Sequence, residues 1–272
     1  MTYVLGTHSE ELERLGRQHQ IWQAEAMAAW DKAGFKSGDR LLDLGCGPGF
    51  ASFDLAETEL GSTGQVLGID QAANYITHLN KQAAELQLPQ LKAELHDLTA
   101  STPTLIGNQN WDGAWCRWLC MFLTDLDPLL ALIKSSLKRG AKLVIHEYIR
   151  WDTFSLHPHG AALAEFVNCC IQHWQSHGGD PNVASRLPAL LQQQGFELVS
   201  SCSLLACTTN GQAKAQWLED FLTSYPSQLI ADGVWTQSQQ EALEAEISQA
   251  KKIKASGKPL PLLNRFGKNH ER

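Results

Sequence analysis

Three glycines at alternate positions follow a short apolar run, and they have the clearest chemical meaning in this sequence. Gly45, Gly47 and Gly49, with Pro48 between the last two, make a tighter turn than the G-x-G-x-x-G fingerprint of dinucleotide sites. Phe50 stands where the third glycine of that fingerprint would fall. The turn therefore predicts backbone amides that face a ligand with no pyrophosphate to cradle.

Three acids stand near the ends of predicted strands. Asp43 lies two residues before the first glycine and can accept a hydrogen bond from an amine. Asp70 lies 21 residues after Gly49, about where an acidic side chain reaches a ribose diol. Asp97 closes the third strand, placed to accept from an exocyclic adenine amine. Since doubly wound sheets bind ligands at the carboxyl ends of their parallel strands, these acids predict one crevice.

The segments that must position these residues alternate between strands and helices, which favours an α/β fold with a parallel, doubly wound sheet. Hydrophobic periodicity predicts strands over 40–44, 65–70, 91–96, 111–116 and 141–148. It predicts helices over 9–33, 50–60, 72–87 and 125–138. The later segments are a helical insertion over 152–183, a strand over 196–207, and helices over 187–194, 213–223, 226–232 and 237–252.

Composition excludes several classes of protein. The 272 residues are 43% hydrophobic and 19% charged, as in globular proteins and unlike disordered or fibrous ones. Lys and Arg number 22 against 29 Asp and Glu, so the net charge of −7 gives no overall attraction to nucleic acid or anionic lipid. No run approaches the ~18 apolar residues of a membrane span. Charged residues between 10 and 17 argue against a secretory leader, and seven cysteines without a CxxC pair predict a reduced, cytoplasmic protein.

From residue 39 to 148 the chain resembles the class I S-adenosylmethionine-dependent methyltransferases. The motifs that match in order and spacing are Leu-Asp-Leu-Gly-Cys-Gly-Pro-Gly (42–49), Gly-Ile-Asp (68–70), His-Asp-Leu (96–98), Trp-Asp-Gly-Ala-Trp-Cys-Arg-Trp-Leu (111–119) and Leu-Lys-Arg-Gly-Ala-Lys-Leu-Val-Ile (137–145). The resemblance implies a mostly parallel seven-stranded sheet in the order 3-2-1-4-5-7-6. Its sixth and seventh strands would be residues 196–207 and 260–267.

The resemblance also implies a division of the chain. Residues 1–38 would form a helical cover, and 39–151 the Rossmann-like core that binds S-adenosylmethionine. Residues 152–183 would add a helical lid, and 184–272 would complete the sheet around a helical insertion at 208–258.

The implied donor-binding residues lie at the strand ends and on the first helix. They are Asp43, Gly45, Cys46, Gly47, Gly49, Asp70, Gln71, Asp97, Leu98, Cys116 and Arg117. Within this set the glycine turn would face the methionine part of the donor, Asp70 the ribose, and Asp97 with Leu98 the adenine. Arg14, Gln18 and Gln20 are candidates for the donor carboxylate.

Three residues that end strand five are candidates for acid–base chemistry. His146 and Tyr148 share one side of the strand and Glu147 takes the other. A sulfonium donor already carries an activated methyl group, so a base is needed only if the acceptor arrives protonated. A structural role for each of the three is therefore equally open.

Aromatic residues are frequent in both helical insertions and predict an apolar pocket of small-molecule size. The expected acceptor contacts are Trp118, Tyr148, Trp151, Phe166 and Trp174. Core packing is the alternative role for each ring.

Two other patterns in the sequence have simple structural explanations. Cys169, His173 and His177 recur every four residues after His157-x-His159, as zinc ligands can, but the polar face of a lid helix explains them and we predict no metal. The basic stretch 251–272 suits a solvated terminus.

The sequence thus predicts a methyltransferase for O, N or C of a small, partly apolar or aromatic metabolite. A tRNA or rRNA methyltransferase and a catalytically silent donor-binding partner protein are the alternatives, and the oligomeric state stays open.

Overall fold

Five parallel strands form the centre of the computed structural model, which describes residues 9–100, 110–157 and 160–255. The strands are β1 (Arg40–Leu44), β2 (Gln65–Asp70), β3 (Leu91–Leu95), β4 (Trp111–Arg117) and β5 (Leu137–His146). Their order is β3-β2-β1-β4-β5, and all four pairings are parallel. The predicted α/β class is therefore confirmed.

Eight α-helices flank the sheet in the described residues. They are α1 (Ser9–Ala33), α2 (Phe50–Asp54), α3 (Ala73–Glu85), α4 (Asp127–Ser136), α5 (Ala161–Ser176), α6 (Leu187–Gln193), α7 (Ala213–Ala231) and α8 (Gln237–Ala255). A π-helical turn, Leu55–Glu59, continues α2.

The two faces of the sheet carry separate cores because successive strand side chains point in opposite directions. On one face Leu41 and Trp115 pack with Trp30 of α1 and Leu79 of α3. On the other face the alternate residues, such as Leu42 of β1, pack against helices α4 and α5. This alternation also fixes which strand-end side chains share a face.

Helix α7 runs through Pro226, where the sequence predicts two helices, 213–223 and 226–232. A proline inside a helix removes a hydrogen bond and costs about 3 kcal/mol or more. Here Tyr225 and Pro226 are both buried, and the Tyr225 hydroxyl is 2.8 Å from Nδ1 of His173 on α5. This tertiary packing holds the helix together despite the local penalty.

Residues 196–207 do not form the predicted sixth strand, since no strand pairing among the described residues includes them. In the expected order the sixth strand pairs with the seventh, not with β5. The predicted seventh strand, 260–267, lies outside the described residues.

Helices from the later half of the chain attach both to one another and to α1. Glu246 of α8 accepts the N–H groups of Ala162 and Leu163, at 3.1 and 3.0 Å, and so caps α5. Between α1 and α7, Trp217 Nε1 donates to Gln18 at 3.2 Å. Two ion pairs also join α1 to α7, Arg17 with Asp220 and Glu25 with Lys214. Helices α1 and α7 therefore form one continuous roof over the carboxyl end of the sheet.

Two observations bear on environment. Across the described ranges, none of the helices has both the length and the apolar character required to cross a bilayer. All seven cysteines have free thiols.

Candidate functional site

A cavity of about 210 Å³ lies at the carboxyl ends of the strands, under α1 and α7. One part, here called the polar half, is lined by Asp43, the turn Gly45–Pro48, Asp70, Gln71, Asp97, Leu98 and Arg117. The other part, the aromatic half, is lined by Trp118, Tyr148, Trp151, Phe154, Trp174, Trp217 and Phe221. The two halves form one continuous space.

The glycine turn connects β1 to α2 at the floor of the polar half. All three glycines have positive φ, which side chains with a Cβ rarely adopt. Gly47 is on the cavity wall, where a Cβ would meet open space. Gly49 lies outside the lining. A Cβ at this position would stand 2.3 Å from Cδ1 of Leu79, so only glycine allows this close packing. Gly49 is thus a packing glycine, although the sequence suggests a donor contact.

Asp70 ends β2 and ties the turn to the next helix. Its Oδ2 accepts the Gly47 N–H at 2.9 Å, and its Oδ1 accepts the Ala72 N–H at 2.8 Å. Burial raises the pKa of this carboxyl, while the backbone hydrogen bonds oppose the rise. A carboxylate has about four lone-pair positions, so Asp70 can still accept two hydroxyl groups.

Asp43 is buried in β1. Its Oδ2 accepts a hydrogen bond from the hydroxyl of Ser52 at 2.5 Å. Burial raises the pKa of Asp43 to about 6, against the lowering effects of Ser52 and Arg117. The group is therefore mostly ionised at neutral pH and suits an ammonium group.

Arg117 ends β4 in a relay that the sequence does not reveal. Its Nη2 is 2.8 Å from Nδ1 of His19, and His19 Nε2 is 2.8 Å from Oδ2 of Asp54. Asp54 also accepts from Gln23 at 2.7 Å. Since a guanidinium only donates, His19 must accept at Nδ1 and carry its proton at Nε2. The relay joins residues 98 positions apart, so no local signal could have found it.

The candidates on α1 differ from one another in their surroundings. Arg14 lines the cavity, but its Nε and Nη2 donate to both carboxylate oxygens of Glu11 at 2.7 Å, and its Nη1 donates to Gln18 at 2.8 Å. Gln18 is also on the wall. Gln20 is exposed and outside the lining.

Asp97 lies at the exposed edge of the polar half. Oδ1 of Asp97 accepts from both the N–H and the hydroxyl of Thr99, at 2.8 and 2.6 Å. These bonds lower the pKa of Asp97, so the carboxyl is ionised at neutral pH. Asp97 can therefore accept a hydrogen bond from an amine.

Of the three acid–base candidates, only Tyr148 lines the cavity. Burial raises the pKa of its hydroxyl well above the usual range. Glu147 points to the opposite side, where Oε1 accepts the Cys120 N–H at 2.5 Å and burial raises the pKa to about 8. Cys116 is also behind the wall, with its sulfur 3.9 Å from that of Cys120. Glu147 and Cys116 therefore support the turn 117–120 from below.

His146 packs behind the wall, with ring contacts to Trp22, Trp115 and Trp118. Burial, with help from Arg117, lowers the pKa of His146 to about 4. The neutral ring stabilises the fold above the ordinary pKa of about 6.5, and this contribution is lost as the pH falls toward 4.

We therefore expect the titration of His146 to lower the free energy of unfolding by up to about 3 kcal/mol as the pH falls from 6.5 to 4. His146→Gln should remove that share, so the free energy of unfolding should fall less steeply with acid in the variant. Urea unfolding of both proteins across this range measures the difference. Parallel pH profiles for the two proteins would contradict the prediction.

In the aromatic half, three rings are nearly parallel. Trp118, Tyr148 and Trp217 have interplanar angles of 12–14° and centroids 5.8–6.4 Å apart. Trp118 holds a left-handed φ of 51°, which is strained for a bulky residue, and its N–H donates to His146 O at 3.0 Å. Trp151 and Trp174 each have a buried Nε1 without a hydrogen-bond partner. The wall thus offers flat apolar surface and two indole donors.

Phe166 and His173 of α5 lie outside the lining, whereas His177, directly after α5, lines the cavity. Phe166 is fully buried against Phe221 and Trp235, outside the lining. Both ring nitrogens of His173 are engaged, with Tyr225 and with Asp232 at 3.0 Å. His173 thus joins α5 to α7.

Comparison with known proteins agrees with this geometry. Residues 35–265 match the family model described as a methyltransferase domain. The chain is 35% identical to the 2-phytyl-1,4-naphtoquinone methyltransferase of Trichormus variabilis over 49% of this chain and 56% of that protein. It is 29% identical to the ubiquinone biosynthesis O-methyltransferase of Aeromonas salmonicida over 47% of this chain and 50% of that protein. The chain spans about half the length of these curated relatives.

A solved structure shares the fold. Phosphoethanolamine N-methyltransferase 2 of Haemonchus contortus superposes with a TM-score of 0.53 at 15% identity, covering 88% of this chain and 53% of that chain. Because the family model covers most of the sequence, the chain belongs to the methyltransferase-domain family, and its resemblance to class I S-adenosylmethionine-dependent methyltransferases is confirmed.

Proposed function

We propose that this chain transfers a methyl group from S-adenosylmethionine to an O, N or C atom of a small, partly apolar aromatic metabolite. The observation that carries the proposal is the single cavity, which joins a polar half to an aromatic half. An acceptor stacked on the aromatic wall would meet a donor in the polar half directly. A reducing, cytoplasmic location is part of the proposal.

The residues of the polar half fit the donor. Asp70 has lone pairs left for a ribose diol, and Asp97 can accept from the adenine amine. Asp43 suits the ammonium group, while the open Gly47 lets the backbone approach the ligand. When bound, the donor supplies an activated methyl group and a neutral leaving group.

The aromatic half favours a planar acceptor that carries a carbonyl or phenolic oxygen. Trp118, Tyr148 and Trp217 present parallel faces for a ring, and Trp151 Nε1 can donate to an oxygen. Two curated relatives are named for naphthoquinone and ubiquinone biosynthesis, which supports a quinol-type acceptor. The protein's part is to hold the two reactants in line and to exclude water.

The test is a transfer assay with methyl-labelled S-adenosylmethionine and three kinds of acceptor: reduced naphthoquinones, matched aliphatic alcohols, and tRNA. We expect labelling of the quinols only. Trp217→Leu should raise the KM for the acceptor about two- to tenfold, since a stacked aromatic pair contributes about 0.5–1.5 kcal/mol beyond its buried area.

Glu94→Ala, on the exposed part of β3, serves as the control for that variant. Labelling of tRNA alone would favour the RNA methyltransferase. Donor binding without transfer to any acceptor would indicate a catalytically silent partner protein.

A further inference from the structure

One guanidinium nitrogen in the cavity wall has no hydrogen-bond partner, although the guanidinium lies over the Trp118 ring at 5.0 Å. Nη1 of Arg117 is buried and makes no hydrogen bond. The same side chain lines the cavity, and its Nη2 is held by His19. An unsatisfied donor on a buried cation is costly, so its persistence at a cavity points to a missing anionic oxygen.

Arg117 shares its face of the sheet with Asp43. Asp43 pairs in register with Trp115, and Arg117 follows Trp115 by two residues on β4. Because strand side chains alternate, these side chains project on the same side. The two charges are close enough for each to shift the pKa of the other. Yet no ion pair of 4.0 Å or less joins these two described residues.

Two opposite charges that lie side by side, without pairing, suit a ligand with an anionic and a cationic group attached to one atom. An α-amino acid is such a ligand, since its ammonium and carboxylate share the α-carbon. We propose that Asp43 and Arg117 together form the receptor for the amino-acid end of the donor, with Arg117 binding its carboxylate. This inference rests on the proposed function and assigns the carboxylate to Arg117 in place of Arg14.

The surroundings of the two arginines support this choice. Glu11 already holds Arg14 through both carboxylate oxygens, which balances its charge. Arg117 contacts no carboxylate of this kind, because His19 accepts its N–H at Nδ1 and donates the Nε2 proton to Asp54 in a hydrogen bond. The relay orients the guanidinium fork without neutralising it, as a carboxylate site requires.

The test is calorimetric titration with two ligands, S-adenosylhomocysteine and S-adenosylthiopropylamine, which is the same molecule without the carboxylate. Wild type should prefer S-adenosylhomocysteine by about 10- to 100-fold, as expected for hydrogen bonds to a charged group. Arg117→Met should bring the two affinities within about threefold. Since both ligands carry the amine, any indirect effect through Asp43 cancels in the ratio.

Two further variants separate the alternatives. Arg14→Met should keep the wild-type preference, and His19→Leu should reduce it several-fold by releasing the fork. Thermal unfolding of each variant shows whether it is folded. Arg117→Met with the preference intact, or Arg14→Met with the preference lost, would overturn the inference. Wild type that binds neither ligand would instead overturn the proposed function.

Discussion

Asp70→Ala is expected to weaken the binding of S-adenosylhomocysteine by at least about 100-fold. The ribose diol would lose two charge-assisted hydrogen bonds, each of about 1.5–3 kcal/mol. The variant would also release the Gly47 and Ala72 amides that Asp70 now holds, which loosens the floor of the polar half. Calorimetric titration measures the loss directly.

Two controls define what this loss means. Asp70→Asn keeps one acceptor oxygen and should retain part of the affinity. Asp97→Ala, at the exposed edge, should lose only about tenfold, because a hydrogen bond near solvent is replaced by water at little cost. Asp70→Ala that binds within threefold of wild type would contradict a ribose contact at this residue.

Gly49→Ala is expected to be the most destabilising change in the glycine turn. Its φ of +92° is strained for alanine by about 1–2 kcal/mol. The added Cβ would stand 2.3 Å from Cδ1 and 2.5 Å from Cγ of the fully buried Leu79, so overpacking adds about 1–3 kcal/mol. Urea denaturation should show a loss of about 2–5 kcal/mol in the free energy of unfolding.

Gly47→Ala is the matched control, because its φ is also positive but its Cβ would meet nothing within 4 Å. It should cost only the strain of about 1–2 kcal/mol. In a Leu79→Ala background the Gly49→Ala clash should be relieved, which a double-mutant cycle would register as a favourable coupling. If Gly47→Ala costs as much as Gly49→Ala, packing against Leu79 is not the cause.

The sheet and the polar half were predictable because their signals are local. Each parallel strand is an apolar run of a few residues, and Asp43, Asp70 and Asp97 stand near the strand ends. A residue at the end of a parallel strand lies at the crevice whatever the rest of the chain does, so its place can be predicted from the local sequence. The same reasoning identified the glycine turn, although it could not separate Gly47 on the wall from Gly49 in the core.

The parts that the sequence did not reveal depend on contacts between distant segments. Periodicity shows that the helical insertions carry aromatic rings, but not that Trp217 faces the cavity while Phe166 faces the core. The relay from Asp54 through His19 to Arg117 requires α1, α2 and β4 to meet. The helix through Pro226 likewise depends on its tertiary partners, which outweigh local propensity.

The attachment of α1 to α7 has a kinetic consequence. α1 contributes Gln18 and His19 near the polar half, and α7 contributes Trp217 and Phe221 to the aromatic half. Because Gln18 and Trp217 are hydrogen-bonded to each other and two ion pairs reinforce the contact, neither helix can swing outward alone. If the chain transfers methyl groups as proposed, we therefore expect spent donor and methylated product to leave through one shared opening of α1 and α7, and turnover at saturating substrate to follow the rate of that opening.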